Sequence, residues 1–435
     1  MDDALSLPAI RNPSSGADLR ARIDALNDEA WPIRFTDHGQ AEMLAREALA
    51  LAEAEGYGLG TALALRTLGA QRYYLRSDYD GALEMLQRAL ALLDESQEMR
   101  GRADVLNGIG YIQVRRGDHA EGVRLHLKAL EIQKTTGDLS GQASSLTHLG
   151  NAAFMTGDYG LALEYHEASL MLREQADEQA GMAYSLANIG TIHYQQGDYA
   201  RVLEYMSRAL SIHSVSGDAQ GVSVCLMNMG NTYARMGQYD RALDYLHQAS
   251  EGLLSRGDHA DRALSLHVIG EVHEQRGDAL TALSYYRQSL DLSQRLGVRV
   301  YEPETMIRLG ALLVRQGEAR AGLRHLHEGL RVAEAQEARA SVYEAHEALA
   351  DAYEALGDTA RALEHHRAFY AVWREVFGTE TNLRIQNARI REEVRQTERE
   401  AGILREKNEA LTRADEEKAS LLEQLRIQAA ELERQ

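Results

Sequence analysis

Glycine recurs in this chain with a fixed period. Gly117, Gly157, Gly197, Gly237, Gly277, Gly317 and Gly357 stand 40 residues apart. Seven residues before each comes a small residue, Gly110, Gly150, Gly190, Gly230, Gly270, Gly310 or Ala350, and five residues after each comes Gly122, Ala162, Val202, Ala242, Ala282, Gly322 or Ala362. A chain that repeats itself at this distance reads as an array of one supersecondary unit, each copy burying its apolar face against the next. The register extends one period earlier, through Ala70, Ser77 and Ala82.

A second set of turn residues falls midway, at Gly137, Asp177, Gly217, Gly257 and Gly297, so a bend is expected every 20 residues. Glycine relieves the left-handed backbone at a helix end, and the aspartate that often follows can cap the next helix. The apolar residues between bends, such as Leu161, Leu163, Tyr165, Leu170 and Leu172, keep helical spacing and not strand alternation. The four prolines, Pro8, Pro13, Pro32 and Pro303, leave the rest of the chain free of the strongest helix breaker. The expectation is all-α, with two helices of similar length per repeat.

The segment SLTHLGNAAFMTGDYGLALEYHEASL, Ser145 to Leu170, resembles a tetratricopeptide repeat, and the likeness recurs from about residue 61 to about residue 376. The usual period is about 34 residues, so each repeat here carries about six more. Long repeats of this kind resemble those of Pins-type adaptors and of the Rap family of peptide-controlled bacterial regulators. The resemblance implies a right-handed α-solenoid with a concave surface. The organisation expected is a disordered N-terminus over 1–16, an atypical capping helix pair over 17–58 containing Trp31, about eight repeats over 59–378, and a coiled-coil helix over 379–435.

In tetratricopeptide domains the first helix of each pair lines the concave face. Carried onto this register, the resemblance places Asn107, Tyr111, His148, Asn151, Tyr184, Asn188, Thr191, Tyr194, Asn228, Asn231 and Arg235 on one inner surface. A carboxamide offers donor and acceptor together, so a ladder of them can satisfy an extended peptide backbone; the alternative is that these asparagines bond a neighbouring helix. A carboxylate clamp of the chaperone-binding type is not expected, because Thr147, Val224 and Asn228 stand where it needs positive charge. Further along, Glu271, Glu274, Glu304, Glu347, Asp351 and Glu354 make the same surface acidic, which suits either a basic ligand segment or plain solvation.

Thr379 to Gln435 reads as a charged helix with a sevenfold seam. Ile390, Val394, Leu404, Asn408, Leu411, Leu422, Leu425 and Leu432 would pair two chains, with Asn408 fixing register and Thr397, Asp415 and Lys418 weakening the seam. Its wording from Arg399 to Gln435 resembles the connector that precedes GGDEF diguanylate cyclase output domains in bacterial signalling proteins. That resemblance implies a sensor module relaying peptide or protein binding through a dimeric coiled coil to an output domain beyond Gln435; the alternative is a stand-alone dimeric adaptor.

Other functions are not expected. A net charge of -19 has the wrong sign for nucleic acid or anionic lipid. One cysteine, Cys225, excludes an internal disulfide and a zinc cluster, and no apolar run approaches the ~20 residues of a membrane span. The acidic start lacks a signal peptide, so a cytoplasmic protein is expected. The His-Glu pairs at His166, His273, His327 and His346 lack the second histidine of a zinc-protease helix, and the glycines from Gly56 to Gly60 have no strand or lysine beside them. No catalytic residue, metal site or cofactor is expected.

Overall fold

The computed structural model describes residues 16–374 apart from 35–36, 76–77, 257–258, 297–300 and 337. Every element among the described residues is a helix. The N-terminal pair is α1 (Gly16–Ile33) and α2 (His38–Glu55). Seven repeat pairs follow: α3 (Gly58–Leu75) with α4 (Tyr79–Ser96), α5 (Met99–Arg115) with α6 (His119–Thr136), α7 (Leu139–Met155) with α8 (Tyr159–Gln175), α9 (Gln179–Gln196) with α10 (Tyr199–Ser216), α11 (Ala219–Arg235) with α12 (Tyr239–Arg256), α13 (His259–Arg276) with α14 (Ala279–Leu296), and α15 (Glu302–Arg315) with α16 (Ala319–Ala335). An eighth consists of α17 (Arg339–Ala355) and α18, described over 359–374. Helices α1 to α17 run to 17 or 18 residues, except that α15 has 14, with Pro303 in its first turn. The coiled-coil reading of 379–435, with its pairing residues Ile390 to Leu432, lies outside the described residues, as do residues 1–15, Ser77, Gly257 and Gly297.

The bends are built as the glycines suggest. Gly117, Gly157, Gly197, Gly237, Gly277, Gly317 and Gly357 all have positive φ, as do Gly137 and Gly217 at the midway bends. Asp78, Asp118, Asp138, Asp158, Asp198 and Asp218 each accept the backbone N–H three residues on, closing the start of the next helix. Among the described residues two that are not glycine, Gln97 and Asp177, take the left-handed bend, with φ of 58° and 52°.

Within a pair, contact is closest at the small residues. A Cβ on Gly310 would sit 2.8 Å from the Gly322 carbonyl oxygen, and one on Gly110 3.0 Å from that of Gly122. The large side chain one turn further along the second helix packs into the same gap in each: His126 on Gly110, His166 on Gly150, Met206 on Gly190, Tyr286 on Gly270 and Leu326 on Gly310. Leu86, His126, His166, Met206, Leu246, Tyr286 and Leu326, at one register position of the successive second helices α4 to α16, are buried. The core is therefore a chain of local clusters, each joining one hairpin to the next.

Successive helices pack side by side throughout. First helices also touch one another from pair to pair, α1 with α3, α3 with α5, α5 with α7, α11 with α13 and α15 with α17, and no comparable contact joins successive second helices among the described residues. First helices thus form the tighter side of the stack.

The left-handed bends set two stability predictions. Gln97→Gly removes the Cβ strain of that conformation and should raise stability by about 1 kcal/mol, whereas Gly237→Ala, at φ 74°, should lower it by about as much. Thermal unfolding of both variants against the parent checks the opposed signs.

Candidate ligand-binding face

The first helices α7, α9 and α11 carry the carboxamides. Asn151 is exposed, and Asn188, Asn228 and Asn231 are half-buried. Asn228 Nδ2 lies 3.9 Å from the Met206 sulfur. Asn151, Asn188 and Asn231 make no side-chain hydrogen bond among the described residues, so their donors and acceptors face solvent together. Around them, Tyr184 is 55% exposed and meets the edge of His213 at 5.4 Å. Burial of its inner part, with Asp218 nearby, pushes the Tyr184 hydroxyl up to about 12. Thr191 donates to the Ala187 carbonyl on its own helix. Arg235 Nε donates to the Tyr194 hydroxyl at 3.1 Å, tying α11 to α9 across the face.

Asn107 departs from the expected surface. It is 5% exposed; its Nδ2 donates to Ser145 Oγ at 2.7 Å, and its carbonyl accepts from His126 Nδ1 at 2.9 Å. It joins α5 to α6 and α7, so here the helix-bonding alternative holds. Asn107 lies three residues before Gly110, whereas Asn188 and Asn228 lie two before theirs; one residue turns a side chain by about 100° around a helix, from the face into the interior. Tyr111 and His148 are half-buried and belong to a ring series crossing three first helices, Tyr73 to Tyr111 at 5.0 Å and Tyr111 to His148 at 6.1 Å.

Sequence reasoning missed the N-terminal end of this face. Trp31 of α1 is stacked by two guanidiniums, Arg34 at 3.7 Å and Arg66 at 3.8 Å from its ring centroid, and Arg66 pairs with Asp104 of α5 at 2.7 Å. The charge of Arg34 acts on Tyr73, Asp104 and His148, placing it beside the first helices α3, α5 and α7. Only the tryptophan in the capping pair hinted at this cluster.

At the other end the acidic residues are largely engaged with protein partners. Glu271 lies 3.5 Å from Arg308 and 3.7 Å from His267, and Glu304 accepts from Ser341 at 2.7 Å. Glu274 pairs with Arg315 and accepts from Tyr286, and Glu354 meets His366 at 3.0 Å. Glu347 and Asp351 remain exposed. Burial raises the Glu344 carboxyl, with Arg308 opposing and Glu304 and Glu271 adding to it.

This combination of paired antiparallel helices and small-residue contacts is that of tetratricopeptide repeats, drawn out to a 40-residue period. The tetratricopeptide repeat family model matches residues 101–175, 141–214, 179–255 and 222–295 in overlapping frames, so this stretch is a tetratricopeptide array. No curated protein matches the chain in sequence. Among solved structures, the apo form of the quorum sensor NprR from B. thuringiensis aligns over 82% of this chain and 99% of its own, with TM-score 0.58 and 14% identity. The Rap conjugation gene regulator of plasmid pLS20, solved with the Phr* peptide, aligns over 82% and 96%, with TM-score 0.52 and 13% identity. The signal transduction ATPase PH0952 from Pyrococcus horikoshii, which has a tetratricopeptide repeat sensor, aligns over 87% of this chain but 56% of its own, with TM-score 0.61 and 14% identity. Residues 101–295 are thus a tetratricopeptide array, and the chain shares its fold with regulators of the Rap and NprR type. No helix among the described residues is long and apolar enough to cross a membrane.

The buried imidazoles give the fold a pH dependence. Burial, with Arg173 adding, lowers His148 and His166 from 6.5 to about 4, and His126 lies well below 6.5. The unfolded chain takes up these protons near pH 6.5 and the folded chain does not, so their contribution is complete above that pH and is lost as pH falls toward 4. Denaturant midpoints should fall between about pH 7 and pH 5.5, where unfolded histidines titrate ahead of carboxylates; a flat midpoint over that interval would contradict the assignment.

Proposed function

We propose that this chain is the sensor module of a signalling protein and takes an extended peptide or protein segment on the first-helix face of α7 to α11. The observation that carries the reading is the trio Asn151, Asn188 and Asn231. They stand on three successive first helices with their amides unengaged by protein. Each amide can accept from and donate to a passing peptide group, so backbone recognition needs no particular ligand sequence. Tyr184 and Tyr194 add apolar contact at low entropic cost. The likeness in fold to a Rap regulator solved with the Phr* peptide and to the quorum sensor NprR supports a peptide as the ligand class.

In this reading residues 379–435 pair two chains, and a bound segment shifts the stack of hairpins so that the pairing helix turns or slides. A coupling of about 1–3 kcal/mol is enough to bias such a switch. The recipient is an output unit of the diguanylate-cyclase kind, as the wording of Arg399 to Gln435 suggests.

Two measurements test these halves. Peptides retained by the full chain from a random mixture should bind the Asn151→Ala/Asn188→Ala/Asn231→Ala protein at least about tenfold more weakly, with unchanged circular dichroism; undiminished affinity would refute the ladder. In sedimentation, Leu404→Glu/Leu425→Glu should reduce the mass of the full chain from two protomers to one. Equal masses would remove the tail as the pairing element.

A further inference from the structure

The cluster around Trp31 is built unlike the rest of the first-helix face. Arg66 is 8% exposed, yet its Nε–H has no hydrogen-bond partner. A buried guanidinium with an orphaned donor costs stability unless another group completes it. Its Nη1 donates to Asp104 at 2.7 Å, and its plane lies on the Trp31 ring, which Arg34 stacks as well. Arg34 Nη1 in turn donates to the Trp31 carbonyl at 2.6 Å, so the first guanidinium is fixed to the backbone that carries the ring. Two planar cations are thereby held in place, and such pre-organised forks suit a planar, bidentate carboxylate better than a point charge.

Of the other carboxylates whose charge reaches the two guanidiniums, Glu98 is committed to capping α5, accepting from the N–H groups of Arg100 and Gly101, Glu178 pairs with Arg173 at 3.2 Å, and Asp28 is exposed on α1. Asp104, with a side chain 21% exposed, sits six residues before Gly110; Tyr184 occupies the same place before Gly190 and is exposed on the face. The cluster therefore opens onto the surface that carries the asparagines, with Tyr111 and His148 between.

We infer that Arg34 and Arg66, stacked on Trp31, form a carboxylate subsite that anchors one end of the segment bound along the asparagines. The carboxylate is either the free C-terminus of the segment or an aspartate or glutamate side chain. The inference rests on the proposed peptide-binding reading and adds a direction to it: the acidic end of the ligand lies against α1 to α5.

The test uses the full chain and four pools of acetylated random heptapeptides, with C-termini free or amidated, each with or without aspartate and glutamate. Retained peptides are counted by mass spectrometry. Pools bearing a carboxylate should be retained about tenfold better than the amidated pool lacking acidic residues. Preference for the free C-terminus or for acidic side chains tells which source the site takes. In a Trp373→Phe background, where Trp31 is the remaining tryptophan, binding of carboxylate peptides should also change tryptophan fluorescence. Arg34→Gln, which leaves the Arg66 to Asp104 pair intact, should abolish the preference without changing retention of the carboxylate-free pool. Equal retention of all pools, or a preference that survives Arg34→Gln, would overturn the subsite and leave the asparagine face standing. Retention of none would overturn both.

Discussion

The structure depends on how closely two helices can approach at one point in each hairpin. Where Gly110 meets Gly122 and Gly310 meets Gly322, backbone lies on backbone, and a single added carbon would fall within 3.0 Å of a carbonyl oxygen. One turn further along the second helix a large residue, His126, His166, Met206, Tyr286 or Leu326, fills the space that the missing Cβ of the facing glycine leaves. Protein interiors tolerate little change of volume at such contacts. Each hairpin is consequently a fixed unit, and stability accumulates from one unit to the next through local clusters.

That contact also decides which surface is offered to a ligand. Pinning the pairs together brings first helices near one another from α1 to α7 and again from α11 to α13, and Arg235 of α11 reaches Tyr194 of α9 between them. Chemistry along the first helices is mixed by position: carboxamides at the centre, guanidiniums stacked on Trp31 at one end, and carboxylates mostly tied to arginine, serine and histidine at the other. Polar groups held by a rigid stack lose little freedom on binding, which favours affinity without many contacts.

The repeat architecture was legible because its requirements fall on backbone geometry. Positive φ at a bend and a missing Cβ at a crossing both select glycine, and both recur every 40 residues. Gln97 shows the limit: it adopts the same left-handed bend with no residue signal, held by the helices on either side. Side-chain roles were less legible. Asn107 and Asn188 look alike in sequence, yet one residue of register sends the first into a buried bond with Ser145 and leaves the second open. Arg34 and Arg66 escaped notice because their partner, Trp31, lies in the N-terminal pair, which does not follow the repeat. Sequence spacing within one helix says little about which residues of separate pairs converge.

The central claim is that a polypeptide segment is read by the first helices. Hydrogen–deuterium exchange of the full chain, with and without a retained peptide at saturation, tests it most directly, because exchange reports each helix separately. The account predicts slower exchange in α7, α9 and α11 with α8, α10 and α12 little changed. Protection concentrated on those second helices, or no change anywhere at saturation, would contradict it.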